Sequence, residues 1–225
     1  MAEFTNVLTH CIIFKSFNID SILNLLSQIN YKINLYSKDK IIASEGDNCF
    51  DLGIILEGSI EVKKLFVSGK TVTITKLLPA DIFGEVVIFS DMNKYPSTIM
   101  ASDNCKILFL SKIDIIKLCS INVNILNNFM GLLSNKILML NKKLKNLSYE
   151  TLRAKVASFL LENYYLNKKN IFQISSSRKE MAEALGIPRP SLSRELRNMK
   201  KDKLIDFHKN TFKILDINNL EDILS

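Results

Sequence analysis

Apolar and polar positions change rhythm several times along the chain. At the start, Ile19, Ile22, Leu23, Leu25, Leu26 and Ile29 fall on one face of a short amphipathic helix. From Ile33 to Leu110 the pattern shifts to short apolar runs cut by Gly, Asp, Asn and Pro. In that stretch Val72 and Ile74 alternate with Thr71, Thr73 and Thr75, the period-two signature of a half-buried strand. Glu45–Gly46–Asp47, Glu57–Gly58–Ser59 and Ser68–Gly69 supply turns. Runs at this spacing predict an all-β roll of about eight strands.

Residues 113–147 contain no proline and one glycine, and their apolar positions take helical spacing. Leu126, Phe129, Leu133, Ile137, Leu140, Leu144 and Leu147 recur every three or four residues. This narrow stripe fits a two-helix contact, and hence a homodimer, better than packing on the chain's own roll. A further amphipathic helix over 150–165 turns Val156, Phe159 and Leu160 inward.

Then two helices close on a glycine. Ser177 and Glu180 have the spacing of a capping box, Met181 and Leu185 form an apolar edge, and Gly186 stops the helix. Ile187 is a plug, and Pro188 or Pro190 suits the opening of the next helix, where a missing N–H costs nothing. Leu192, Leu196 and Met199 face inward, so Pro190, Arg194, Arg197 and Lys201 face out, with Ser193 at their flank and Arg189 on the first turn. The alternation of 204–208 and 211–215 around Lys209–Asn210 predicts a hairpin wing. A helix pair whose second member is basic outside has the geometry for entering the major groove of DNA.

Charge sharpens this picture only when divided. The 225 residues carry a net +7. Residues 1–120 hold 12 lysines, no arginine and 13 acids, a charge of −1, while 121–225 hold 18 basic residues and 10 acids, or +8. Lysine enrichment along a whole chain says little about partners. Five arginines (Arg153, Arg178, Arg189, Arg194 and Arg197) confined to 45 residues point to an anionic partner for the second half. The longest uncharged run, 118–135, holds five Asn and two Ser, so it is no membrane span. The chain opens on no secretory pattern and scatters Cys11, Cys49, Cys105 and Cys119, so a cytoplasmic location is expected.

The strings SEGD, ILEGSIEV and Phe83–Gly84–Glu85, with the helix pair and wing, resemble the CRP/FNR transcription regulators of bacteria. The resemblance implies an α+β chain in three parts: a jelly-roll (cupin-like, cyclic-nucleotide-binding) over 1–112, a long dimerisation helix over 113–147, and a winged helix-turn-helix over 148–225. In that family a Gly-Glu pair holds the phosphate and ribose of cyclic AMP, an Arg-Ser pair follows, and a Thr-Ser pair meets the base. The matching places here are Gly84–Glu85, Tyr95–Pro96 beside Lys94, and Leu140–Asn141. Pro96 donates nothing, Tyr95 carries no positive charge, and lysine lacks the bidentate fork of arginine. The pocket is therefore expected to serve a small-molecule effector other than cyclic AMP, or none. A cyclic-nucleotide sensor using Lys94, and a β-roll module whose basic domain contacts protein, are the alternatives.

For the second half, the family's early arginine and later Ser-Arg pair correspond to Arg189 and Ser193–Arg194, while the glutamate many members place after the first arginine is Pro190. Arg189 and Arg194 suit guanine edges, Ser191 and Ser193 suit phosphate or base, and Lys179, Arg197, Lys200 and Lys201 suit phosphate. Expected partners are double-stranded DNA, a second copy of the chain and, for an activator, RNA polymerase, with no membrane. Cluster- or haem-bearing relatives notwithstanding, four scattered cysteines and the pair His10–Cys11 give no metal or cofactor site. Two distant histidines and no phosphate loop give no enzyme constellation.

Overall fold

The computed structural model describes residues 4–66, 68 and 70–224, leaving aside the side chains of 142, 143, 146 and 147. Gly69 of the expected 68–69 turn and the Leu147 side chain thus lie outside the described residues. The chain forms two compact units, Met1–Asn135 and Lys136–Ser225.

The first unit opens with α1 (Thr5–Leu8), a 3-10 turn (Ile12–Phe14) and α2 (Ile19–Leu26). Asn18 caps α2 by accepting from Ser21 N at 2.9 Å, and Ile22, Leu25 and Leu26 enter the core. Eight strands follow: β1 (Tyr31–Tyr36), β2 (Ile41–Ala43), β3 (Asp51–Glu57), β4 (Ile60–Leu65), β5 (Thr71–Leu77), β6 (Ile82–Phe83), β7 (Thr98–Ala101) and β8 (Cys105–Ser111). They build two antiparallel four-stranded sheets, ordered β1-β8-β3-β6 and β2-β7-β4-β5, the expected β-roll. However, β5 is not half-buried as its alternation predicts, since Val72 and Ile74 are 40% and 58% exposed on this edge strand. Leu52, Ile54, Leu108 and Leu110 are completely buried in its core. Gly53 is required by close approach, since a Cβ there would stand 2.2 Å from the Phe83 ring.

The stretch 113–147, expected as one helix, is two. α3 (Lys112–Ile121) ends at Asn122, whose φ of −140° and ψ of 113° are extended, and α4 (Val123–Ser148) restarts at once. The break is stabilised locally, because Asn122 Oδ1 accepts from Asn124 N at 2.9 Å. Ser111 caps α3, and the buried Asp114 carboxylate accepts from Asn30 N at 3.0 Å, tying α3 to the start of β1.

The second unit contains α5 (Leu152–Asn167), β9 (Ile171–Gln173), α6 (Arg178–Leu185), α7 (Arg189–Lys201), β10 (Ile205–His208), β11 (Thr211–Ile214) and α8 (Ile217–Asp222). Its sheet has the order β10-β11-β9, so the expected hairpin gains a third strand. Val156, Leu160, Leu192, Met199, Ile205 and Phe212 make a core with no accessible surface. Among the described residues no helix is long and apolar enough to cross a membrane.

Candidate nucleic-acid interface and effector pocket

α6 and α7 are placed by their own ends. The Ser177 side chain accepts from Glu180 N while the Glu180 carboxylate accepts from Ser177 N, the reciprocal box the sequence predicts. Hydrogen bonding to the backbone and then the side chain of Ser177 holds the Glu180 carboxyl below the usual carboxylate range. Pro188 caps α7 and Pro190 lies in its first turn. Leu192, Leu196 and Met199 are at most 1% exposed, which fixes the rotation of the helix and turns the opposite face to solvent.

On that face Arg189, Arg194, Arg197 and Lys201 are exposed, and Ser191 and Ser193 are half-buried. Among the described residues neither Arg189 nor Arg194 makes an ion pair. Arg197 Nε donates to Ser193 O at 3.2 Å along the same helix, a contact that leaves most of its fork free. Lys179 stands exposed at the start of α6 and pairs only distantly with Glu183, at 3.9 Å.

Other basic residues are occupied internally. Lys200 lies against the wing: it pairs with Asp206 at 2.5 Å, which lowers the Asp206 pKa, and its ammonium sits 5.4 Å from the Phe207 ring. Arg153 pairs with Asp202 and, at 3.5 Å, with Glu195, bracing α5 against α7. Arg178, read from sequence only as part of the arginine cluster, is a rivet. Its guanidinium covers the Phe207 and Phe212 rings at 5.2 and 4.7 Å, and Nη2 donates to Lys209 O at 2.7 Å at the wing's tip. Burial pulls its pKa below the usual arginine value. Three arginines out of five therefore face outward from one helix, and two hold the domain together.

In the roll, Gly84 adopts φ +84°, a left-handed conformation, and a Cβ there would meet Asp51 O at 3.0 Å and Cys49 Sγ at 3.2 Å. The backbone at this corner is thus glycine's by both conformation and space. Glu85 beside it is buried. Tyr95, at the place of the family's arginine, is 8% exposed and its hydroxyl lies close to Cys49 Sγ, beside Gly84. Burial, then the Cys49 side chain beside it, push the phenol far above its ordinary range, and burial raises the Cys49 thiol too. Lys94 and Pro96 are exposed.

One cation beside Pro96 is a residue that sequence reading missed. Lys64 on β4 pairs with Glu45 and donates to Pro96 O at 3.4 Å. Only strand pairing brings positions 45, 64 and 96 together, so no local pattern announces them. Leu140 and Asn141 are exposed on α4. Of the apolar stripe, Phe129 is buried in the roll's own core, edge-on to Phe89 at 5.5 Å, and Leu133 is half-buried. Leu126, Ile137, Leu140 and Leu144 are 40–63% exposed. An apolar groove of about 510 Å³ opens beside Leu126, Phe129 and Met130, floored by Ile115 and Ile116 of α3. Among the described residues no group of three His, Cys, Asp or Glu side chains is placed to hold a metal ion.

A jelly-roll followed by a helix-turn-helix with a wing defines a DNA-binding transcription regulator that carries a sensor-type domain. Two family models match the chain, a cyclic nucleotide-binding domain over residues 33–122 and a Crp-like helix-turn-helix domain over 154–223. Among curated proteins, the cAMP-activated global transcriptional regulator CRP of Pasteurella multocida is 24% identical over 183 residues, covering 80% of this chain and 88% of that protein. The cyclic AMP receptor protein of Thermus thermophilus is 24% identical over 193 residues, covering 86% and 88%. In fold the chain is similar to the crystal structure of the Thermus thermophilus catabolite activator protein, with a TM-score of 0.55 at 23% identity, covering 95% and 98%. The chain belongs to the CRP/FNR family of regulators.

Proposed function

We propose that the protein is a homodimeric regulator that binds a palindromic DNA site through α7 and takes no instruction from cyclic AMP. The observation that carries the DNA reading is the outer face of α7, where Arg189 and Arg194 stand exposed and, among the described residues, without acidic partners. An arginine so placed can bond bidentately to guanine O6 and N7, while Lys179, Arg197 and Lys201 neutralise phosphates. Ser191 and Ser193, half-buried at the flank, bond to the backbone or to a base edge. Lys200, spent on Asp206 and Phe207, contributes less to phosphate than its place in the sequence suggests.

Dimerisation is supported by Leu126, Ile137, Leu140 and Leu144, exposed apolar side chains on one helix that a second copy would cover. Two-fold symmetry then places half-sites about 34 Å apart. The domain division proposed is a sensor roll over 1–112, a dimerising segment over 113–147 and a DNA-binding domain over 148–225. RNA polymerase is the further partner if the protein activates, and the cytoplasm is the proposed location.

The relatives are named for cyclic AMP, yet this roll contains no arginine. Tyr95, in the place of the anion-binding arginine, turns its hydroxyl to Cys49, and Lys64 is engaged by Glu45. An incoming phosphate would find both groups occupied and would lose the charge-assisted pair that arginine provides. The test is a gel-shift titration on a selected palindrome, with and without cyclic AMP. Arg194→Ala should weaken binding and remove discrimination at one base pair per half-site, a loss of about 1–3 kcal/mol, while cyclic AMP leaves the wild-type affinity unchanged. Unaltered base discrimination in Arg194→Ala refutes the readout, and a tenfold tightening by cyclic AMP refutes the effector reading.

A further inference from the structure

The outer end of the roll holds a second concavity, of about 270 Å³, which adjoins the Gly84–Glu85 corner through Asp51 and Tyr95. Strand register explains what lines it. Lys32 of β1 pairs opposite Phe109 of β8, and Phe109 pairs opposite Gly53 of β3. Paired residues project to the same face of a sheet, as do residues two apart on a strand. Lys32, Asn34 and Tyr36, with Phe109 between them and Asp51, therefore share one face, Lys32 and Asp51 lying on strands either side of β8. Gly53 lets the Phe83 ring lie flat on this face, where it meets Phe109 edge-on at 6.0 Å, and Tyr36 meets Phe109 at 6.5 Å.

The opposite wall is rigid. The turn at 46–49 is laced to the strand-like segment 93–95 by Gly46 N to Tyr95 O, Tyr95 N to Asp47 O and Cys49 N to Asn93 O, each 2.9 Å. Asp47 spends its carboxylate on Ser44 N at 2.7 Å, whereas among the described residues neither Lys32 nor Asp51 makes an ion pair. Phe50 at the rim is 63% exposed, an aromatic side chain left largely open to solvent. The cavity thus offers a free cation, a free anion, amides from Asn34 and Asn48, and aromatic faces between them.

We propose that this cavity binds a free α-amino acid with an apolar side chain. Its carboxylate meets Lys32 and Asn34, its ammonium meets Asp51, and its side chain lies against Phe109 and beneath Phe50. An ammonium among Tyr36, Phe50 and Phe109 gains from the ring faces as well as from the carboxylate. A ligand of one sign pairs with only one of Lys32 and Asp51, whereas a zwitterion pairs with both, which favours an amino acid over simple amines and simple acids. The site does not rest on the DNA-binding reading, since it is assayed on the full chain without DNA and survives whether or not α7 reads bases.

The experiment screens the free L-amino acids against the full-length protein by ligand-observed NMR and titrates the best by calorimetry, beside its N-acetyl derivative and its decarboxylated amine. Expected is binding tighter than about 1 mM, weakened at least tenfold by N-acetylation and by decarboxylation. Lys32→Gln should weaken the amino acid tenfold and leave the amine unchanged, while Asp51→Asn should weaken both. Both variants alter side chains outside the core, and an unchanged melting curve shows that they fold. No amino acid binding at 10-fold above about 1 mM, an amine that binds as tightly as its amino acid, or affinity indifferent to both substitutions would overturn the proposal.

Discussion

Arg178 is the arginine whose replacement separates folding from DNA contact. Its guanidinium lies over two wing rings, and Nη2 donates to Lys209 O at 2.7 Å. Methionine at this position keeps the length and apolar stem and removes the charge and the donor. The ring contacts are worth about 0.5–2 kcal/mol and a charged hydrogen bond about 1.5–3 kcal/mol. The two share one half-exposed group, so solvent screening and overlap reduce the loss to about 2 kcal/mol. In the Lys136–Ser225 unit that lowers Tm by about 8–16 °C. Differential scanning calorimetry of the full chain reads the shift. The salt dependence of DNA binding supplies the contrast, because a residue that touches no phosphate leaves the slope of log K against log salt unchanged. A melting point within about 2 °C of wild type, with a salt slope reduced by about 1, refutes the rivet and makes Arg178 a phosphate contact.

Gly53→Ala drives a methyl group into the Phe83 ring, since the new Cβ would lie 2.2 Å from it. Overpacking of this kind should cost the first unit about 1–3 kcal/mol, seen as a lower urea midpoint, and a midpoint equal to wild type would show that Phe83 moves aside freely. Acid should loosen the second unit first at α6 and the wing. Glu180 and Asp206 both have folded pKa values held down, by the Ser177 bonds and by Lys200 respectively. Their contribution is therefore complete above the ordinary carboxylate range and is lost as pH falls through the depressed folded values. Protection of the α6 and β10 amides, taken relative to the intrinsic exchange rate at each pH, that stays constant from pH 6 down to about 3 contradicts this.

What the sequence makes legible is local. A capping box, a stopping glycine and an i, i+4, i+7 stripe at Leu192, Leu196 and Met199 fix α6 and α7, because each signal acts within a turn or two. The wing hairpin is equally local. β9 escapes notice because three residues, Ile171–Gln173, are too few for a period, and only pairing with β11 makes them a strand. The break at Asn122 lacks a proline or glycine, since an asparagine side chain makes the turn by bonding to Asn124 N. Charge is where local reading misleads most. Nothing in a list of arginines tells Arg194, free on α7, from Arg178 and Arg153, which find their partners 31 and 49 residues away. Likewise Lys94 is adjacent to Tyr95 in sequence, but Lys64, from another strand, is the lysine that reaches Pro96.

Pro190 has one further effect, on the positive end of α7. A helix normally offers the unbonded amides of its first turn to an anion. Here proline removes one of them, and Leu192 N is already spent on Pro188 O at 3.1 Å. The amides left to a sugar-phosphate chain at this tip are those of Arg189 and Ser191. In the proposed complex the tip offers two backbone amides in place of three, so anchoring there falls more to the side chains of Arg189 and Ser191, which trades directional backbone contact for tolerance in how the tip meets the strand.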